Sequence, residues 1–379
     1  MPSLASKRVG ACGAKSQLTP VIEKRLRKLN RDSKGRLPLR QLTDLYNSKL
    51  GKIAQSTVHH YLKKSGAFLV DSYIKPALTP GNKRARIAFI LERVSNPNGR
   101  NPKFKEMNNR IHVDEKWFFL QKTKRKVRLV PGEEFPGDDT CKHKSHIPKV
   151  MFFCAIGVPH TSPNGHIFDG KLGIWPSVEN IAAKRHSKHR AAGTPVTTPV
   201  EINAETYLNL FTQEDGLLDV LKAKMGHLGY DELVIQQDNA SPHVGHDNVN
   251  RIEQAARDKD LRVRVSLQPP NSPDLNKLDL CLFYSLNRQS AHLRNGARTL
   301  EELIESVKKA YGDYEPAQLE RAEALLHVAY REVLEKNGGN QYDVPHSGIR
   351  KRQNGGQVTI DRSVPRELLP ESKRRRGGS

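Results

Sequence analysis

Apolar runs of strand length alternate with stripes of helical period between residues 108 and 335. IHVDEKWFFL, KVRLVP, KVMFFCAIGV, ELVIQQ and RVRVSLQP are rich in β-branched and aromatic residues and read as strands. TYLNLFTQEDGLLDVLKAKM, HDNVNRIEQAARDK, LDLCLFYSLNRQSAH and LEELIESVKKAYGDY repeat their apolar positions every three to four residues and read as helices. Strands alternating with helices predict an α/β domain with a mixed sheet. Residues 163–200, rich in Gly, Pro, Arg and His, read as a basic insertion in that domain. Upstream, residues 17–70 predict three helices: Val21 to Asn30, Leu39 to Ser48 and Gln55 to Lys64. Leu26, Leu29, Leu39, Leu42, Leu45, Tyr46, Val58, Tyr61 and Leu62 would form their shared core. The short link from Gly51 to Ala54 predicts a helix-turn-helix, with Ser56 or Thr57 as cap of the third helix. A linker over 71–107 carries a basic helix that starts near Pro80, and residues 1–16 and 336–379 read as flexible ends.

Charge changes this picture. The 379 residues carry a formal net charge of +22, which calls for a polyanionic partner. Residues 17–65 are the densest basic block, opposed only by Glu23, Asp32 and Asp44. The third helix would present Gln55, Ser56, Thr57, His59 and His60 to base edges, and Lys63 and Lys64 to phosphates. Lys83, Arg84 and Arg86 on the linker helix, with Lys149, Arg185, Lys188 and Arg190 further on, are additional candidate phosphate contacts. The expected partner is double-stranded DNA.

Four cysteines, Cys12, Cys141, Cys154 and Cys281, are too scattered for a disulfide framework. The cluster Cys141, His143, His146 and Cys154 lacks paired zinc-ligand spacings and reads as a loop entering a strand. No apolar run reaches the ~18 residues of a membrane span, and the N-terminus has no apolar core of a secretory signal. The run Lys373-Arg374-Arg375-Arg376 has the composition of a nuclear import signal, so the nucleus is the expected compartment.

Three carboxylates stand in distinctive surroundings: Asp114 in IHVDEKWFFL, Asp238 in LVIQQDNASPH, and Asp279 in QPPNSPDLNKLDLCLF. A carboxylate buried at a strand end is costly unless it is paired or binds a metal. Three acids from two strands and a helix could hold a pair of Mg²⁺ ions, the equipment for phosphodiester chemistry. Singly, each has an ordinary structural role available, such as a turn or a helix start. Trp117 and Phe118 read as core residues.

The words around these acids narrow the choice. HVDEKWF, QQDNASPH and PPNSPDLNKLD, in this order, resemble the catalytic segments of Tc1/mariner transposases, most closely the mariner-like elements of plants and oomycetes. The resemblance continues through IKPALTPGNKRARIAF, KRKVRLVPGEEFP, HIPKVMFFCAIGVP, FDGKLGIWP and AAKRHSKHRAAGT, and so covers about residues 38–310. It implies an RNase-H-like domain with its acids on the first strand, the fourth strand and a following helix. Carried across by motif, these are Asp114, Asp238 and Asp279; Asp274 in SPDLN would order the turn before the helix. The resemblance also implies two Mg²⁺ ions, with Mn²⁺ as a substitute. It further implies a homodimer and cut-and-paste transfer of terminal inverted-repeat ends into TA dinucleotides. Asn239 would hold Asp238, and His243 would orient a phosphate or a ligand carboxylate.

One departure stands out. Members of this family carry two helix-turn-helix units, and this chain has room for one before the linker, so the first is expected to be absent or degraded. A host-adopted DNA-binding protein with an idle catalytic domain is the main alternative to an active transposase. An RNase-H-like nuclease without transposition explains the acids but not the helix-turn-helix.

Overall fold

A computed structural model describes residues 18–33, 37, 39–67, 75–120, 147–186, 190–293, 299–343 and 360–369. The expected strand at 126–131, Cys141, His143, His146, Lys188, the run from Lys373 to Arg376 and the end at 1–16 lie outside these residues. The chain divides into two units, residues 1–74 and 75–379.

The first unit contains α1 (Pro20–Asp32), α2 (Leu39–Leu50) and α3 (Gln55–Lys64). Thr19 caps α1 by accepting the N–H of Ile22, and Pro20 occupies the first helical position, where its missing N–H costs nothing. Leu26, Leu29, Leu42, Tyr46, Ile53, Val58 and Tyr61 are buried together. Between α2 and α3 the chain turns at Gly51, whose φ of +118° suits glycine. Asn47 braces this turn: its Oδ1 accepts the N–H of Ile53 at 2.8 Å and its Nδ2 donates to the carbonyl of Ile53 at 3.2 Å. The residue preceding α3 is Ala54, without a side-chain cap. Ser56 and Thr57 therefore do not cap the helix; they lie inside it, with Thr57 facing the core.

The second unit begins with α4 (Pro80–Leu91), capped by Thr79, and a short pairing of β1 (Val94–Ser95) with β2 (Lys103–Phe104). Its centre is a five-stranded sheet of β3 (Arg110–Phe119), β4 (Lys149–Ile156), β7 (Lys171–Pro176), β10 (Leu233–Gln237) and β11 (Val263–Leu267). The strand order is β11-β10-β3-β4-β7. β3, β4 and β7 run antiparallel as a meander, whereas β3, β10 and β11 run parallel. The parallel half needs crossover connections, and these bring in α5 (Ala204–Thr212), α6 (Leu217–Met225), the short α7 (Ser241–Val244) and α8 (Asn248–Asp258). α5, α6 and α8 cover one sheet face. α9 (Phe283–Leu293), α10 (Leu300–Gly312) and the start of α11 (Pro316–Glu335) cover the other. The centrally placed β4 and β10 are buried almost throughout, which is why KVMFFCAI and LVIQQ lack clean alternation.

Two elements differ from the pattern read along the chain. The stretch 206–225 is two helices, because Asp215 adopts a φ of +55° and Gly216 sits where a Cβ would meet carbonyl oxygens. Residues 163–200 are not simply a loop insertion. β6 (Ile167–Phe168) pairs with β5 (His160–Thr161), β7 forms the sheet edge, and β8 (Val178–Ala182) with β9 (Pro195–Pro199) makes a two-stranded ribbon. Leu172 and Ile174 are the only buried residues of β7, too short a pattern to stand out among the surrounding Gly and Pro. Among the described residues no helix is long and apolar enough to cross a membrane.

Candidate active site

β3 is the first strand of the sheet in chain order and β10 the fourth. Their parallel register pairs Gln236 with His112, so the next rungs bring the end of β10 alongside Asp114. Asp238 is the first residue beyond β10. Asp114 is paired with Cys154 on β4, and Cys154 packs with Leu278, Leu282 and Phe283. Asp279 lies in the π-helical turn Leu278–Leu282 that leads into α9, on this same face. Such single π-turns recur at functional sites, where the extra residue re-aims a side chain.

Asp279 lies against the same side of β3 as Asp114: Lys116, two residues on from Asp114, places its Nζ 3.9 Å from Asp279, and the two acids are close enough to repel one another. Burial raises the pKa of Asp114 well above the ordinary range, and Asp279, Glu115 and Asp238 add like-charge repulsion. Asp279 is also raised, chiefly by burial, against the opposing pull of Lys116, whose Nζ lies 3.9 Å away. The two carboxylates are thus crowded together in a site with little positive charge.

Asp238 is treated differently. Burial opposes its ionisation, but an ion pair with His243 Nδ1 at 2.5 Å and the backbone N–H of Ala240 at 2.9 Å bring its pKa below the usual carboxylate value. Glu115, next to Asp114 in the strand, points to the opposite sheet face and reaches His243 Nε2 at 3.1 Å. Burial works against a charged His243, yet the two acids raise its pKa to about 10, so the ring is a cation at neutral pH. It stacks on Tyr207 with centroids 4.1 Å apart, and the Tyr207 hydroxyl donates to Gln237 Oε1 at 2.9 Å. His243 therefore contacts the Asp238 carboxylate, one of the two kinds of partner expected of it, and Asn239 does not hold Asp238 as expected. Asn239 instead donates to the carbonyl of Gln268 at 2.8 Å, tying the loop after β10 to the end of β11.

The other residues singled out from the sequence fall into three groups. Gln55, Ser56, His59, His60, Lys63 and Lys64 are exposed on α3, Thr57 is buried, and Lys64 pairs with Glu23. Lys83, Arg84, Arg185 and Arg190 are exposed, while Lys149 is half-buried with its Nζ 4.0 Å from the centre of the Trp117 ring. Arg86 is a correction. It is fully buried, and its guanidinium grips Asp274 through two bonds of 2.7 and 2.6 Å, so it has no free face for a phosphate. The basic helix pattern could not separate Arg86 from Arg84, because both look alike until the partner acid is placed.

Asn276 and Glu115 were not found by sequence reasoning. Asn276 donates from Nδ2 to Asp114 Oδ2 at 3.1 Å, and the only hint in the sequence is its place within PPNSPDLNKLD. The donor set of hard carboxylate oxygens suits a divalent cation, which would relieve the repulsion between the acids. Among the described residues no group of three or more His, Cys, Asp or Glu side chains is already placed to hold a metal ion.

No family model and no curated protein matches the chain. Solved structures do. The Mos1 transposase paired-end complex with left transposon end is 16% identical, with a TM-score of 0.56, and the match covers 86% of this chain and 81% of that one. The chain has the fold of a mariner transposase. The pre-cleavage Mos1 transpososome matches with TM-score 0.56 at 16% identity, over 87% of this chain and 81% of that one. The Mos1 paired-end complex with Mg matches with TM-score 0.55 at 17% identity, over 89% and 84%. The five-stranded mixed sheet with helices on both faces is accordingly RNase-H-like.

Proposed function

We propose that this protein is a cut-and-paste DNA transposase of the Tc1/mariner type. It binds terminal inverted repeats through the basic three-helix unit, cleaves them, and joins the freed 3′ ends to TA targets as a homodimer in the nucleus. The observation that carries this reading is the placement of Asp114 and Asp279 on one sheet face, joined through Asn276 and beside the end of β10, within a mariner transposase fold. The net charge of +22 and the exposed basic and polar side chains of α3 support a DNA partner.

Asp114, Asp238 and Asp279 would hold two Mg²⁺ ions, or Mn²⁺ in their place; Mos1 complexes with both metals are among the similar structures. Bound there, such ions would activate a water or a 3′-hydroxyl and stabilise the leaving oxygen. The chain's own residues set the stage. His243 holds Asp238 ionised, Asn276 donates to Asp114, and Lys116 supplies the nearby positive charge beside Asp279. No covalent protein–DNA intermediate is needed.

The test is cleavage of a labelled inverted-repeat duplex by the full chain with Mg²⁺. The parent should cleave, and Asp114→Ala, Asp238→Ala and Asp279→Ala should not. Equal cleavage by all four proteins overturns the assignment. Duplex binding without cleavage by the parent would point instead to a host-adopted DNA-binding protein.

A further inference from the structure

The connection between β11 and Asp279 is held more firmly than a surface turn requires. Gln268, Ser272, Asn276 and Lys277 are all buried. From the sheet side, Gln236 Nε2 donates to the carbonyl of Leu275 at 2.8 Å, and Gln268 Nε2 donates to the carbonyl of Ser272 at 2.8 Å. From α4, Arg86 holds Asp274 through both carboxylate oxygens, and its Nε donates to the carbonyl of Gly338 at 2.9 Å. The Tyr342 hydroxyl closes on Asp274 from the segment after α11. Gly338 has a φ of +83°, and a Cβ there would lie 2.4 Å from the carbonyl oxygen of Lys83, so only glycine lets this segment approach α4. On the other flank, Lys277 Nζ pairs with the buried Glu323 at 3.0 Å.

What this scaffold presents is the amide of Asn276. Its Oδ1 accepts the N–H of Leu278 at 3.1 Å, at the start of the turn that carries Asp279. Its Nδ2 donates to the backbone carbonyl of Val113 at 3.2 Å and to Asp114 Oδ2 at 3.1 Å. The remaining oxygen, Asp114 Oδ1, accepts the N–H of Glu115 at 2.8 Å. Both oxygens of Asp114 are thus restrained, and one side chain touches both the strand of the first acid and the helical turn of the last. A buried amide with every polar atom committed in this way is costly to replace and rigid in orientation.

We propose that Asn276 is a positioning residue: its amide sets the plane of the Asp114 carboxylate relative to Asp279, and the Arg86–Asp274 pair fixes Asn276. This rests on the reading of Asp114 and Asp279 as divalent-cation ligands. An outer partner of this kind is worth about ten- to a hundredfold in metal affinity.

The experiment is calorimetric Mn²⁺ titration of the full chain at fixed pH, with the metal-free thermal midpoint measured alongside. Asn276→Ala and Asn276→Asp, the second of nearly unchanged shape but without the amide donors, should each bind Mn²⁺ about tenfold or more weakly. Asp274→Asn keeps the Asn276 amide but loosens its support and should show a smaller loss. A folded Asn276→Asp that binds Mn²⁺ like the parent overturns the proposal. Where neither Asn276 variant folds, Asp274→Asn decides: unchanged affinity overturns the proposal, and weakened affinity in protein whose metal-free midpoint stays above the titration temperature supports it. Asp114→Ala separates the two layers. If it binds Mn²⁺ like the parent, the cation-site reading itself fails and takes the proposal with it. If it loses Mn²⁺ while the Asn276 variants keep it, only the positioning role fails.

Discussion

Asp274 and Asp279 lie five residues apart in one motif, and the structure uses them in opposite ways. Asp274 is neutralised: a buried guanidinium meets both its oxygens and a tyrosine hydroxyl adds a third contact. Asp279 is left short of positive charge, crowded by Asp114 and reached by Lys116 only at 3.9 Å. A carboxylate whose charge is already answered builds structure. One crowded against another acid is poised for a cation. Sequence alone offers two aspartates in apolar surroundings, and the difference lies in which partners the fold delivers.

That contrast can be broken most directly by activity. Asp279→Ala should lower inverted-repeat cleavage by about 10³-fold or more in Mg²⁺, the scale of losing a group that stabilises developing charge. Asp274→Ala, compared per folded molecule, should lose less. The reverse order would exchange the two assignments. Stability should rank the pair the other way. Asp274→Ala leaves Arg86 buried without its counter-charge and should cost about 3–5 kcal/mol in urea unfolding.

A gentler substitution sharpens the comparison through pH. The folded-state pKa of Asp279 is raised above its ordinary value, so the folded protein holds a proton that the unfolded chain has released. Stability is therefore lost as pH rises from the ordinary carboxylate value through the raised one. Asp279→Asn removes this penalty and should stabilise the metal-free protein at neutral pH. The gain should fade in acid, and a thermal-midpoint series across pH reads it. A variant that is less stable than the parent at neutral pH would contradict the crowded-acid picture. The smallest effect is expected at Lys116, half-exposed and loosely paired. Lys116→Ala should change stability by only a few tenths of a kcal/mol, within reach of a careful denaturant titration.

The broad fold was legible because burial imposes periodicity. The three helices of the first unit, the long β3 and the buried runs of β4 and β10 all follow from apolar spacing. β7 escaped because only Leu172 and Ile174 are buried along it, and an edge strand needs no more. Thr57 and Arg86 were misjudged for a related reason. Residue type says what a side chain can do, and its neighbours say whether it is free to do it. Thr57 turns into the helical core and Arg86 is consumed by Asp274. Among the acids, Asp238 was recognisable from its motif and His243 was a candidate partner for a carboxylate, but the second contact on that ring was not legible, because Glu115 reaches it from the far face of the sheet.

The sequence by itself determined the classes of element, their order along the chain, the basic surplus and which acidic residues stand in apolar surroundings. These are local or additive properties, written into spacing and composition. Only the tertiary structure decided which charges meet. Asp114 comes together with Asp279 across more than 160 residues, and Arg86 finds Asp274 across 188, as a consequence of strand register and helix packing. Charge–charge energies depend on ångström separations in a medium from which water has been removed, and no linear pattern encodes those distances.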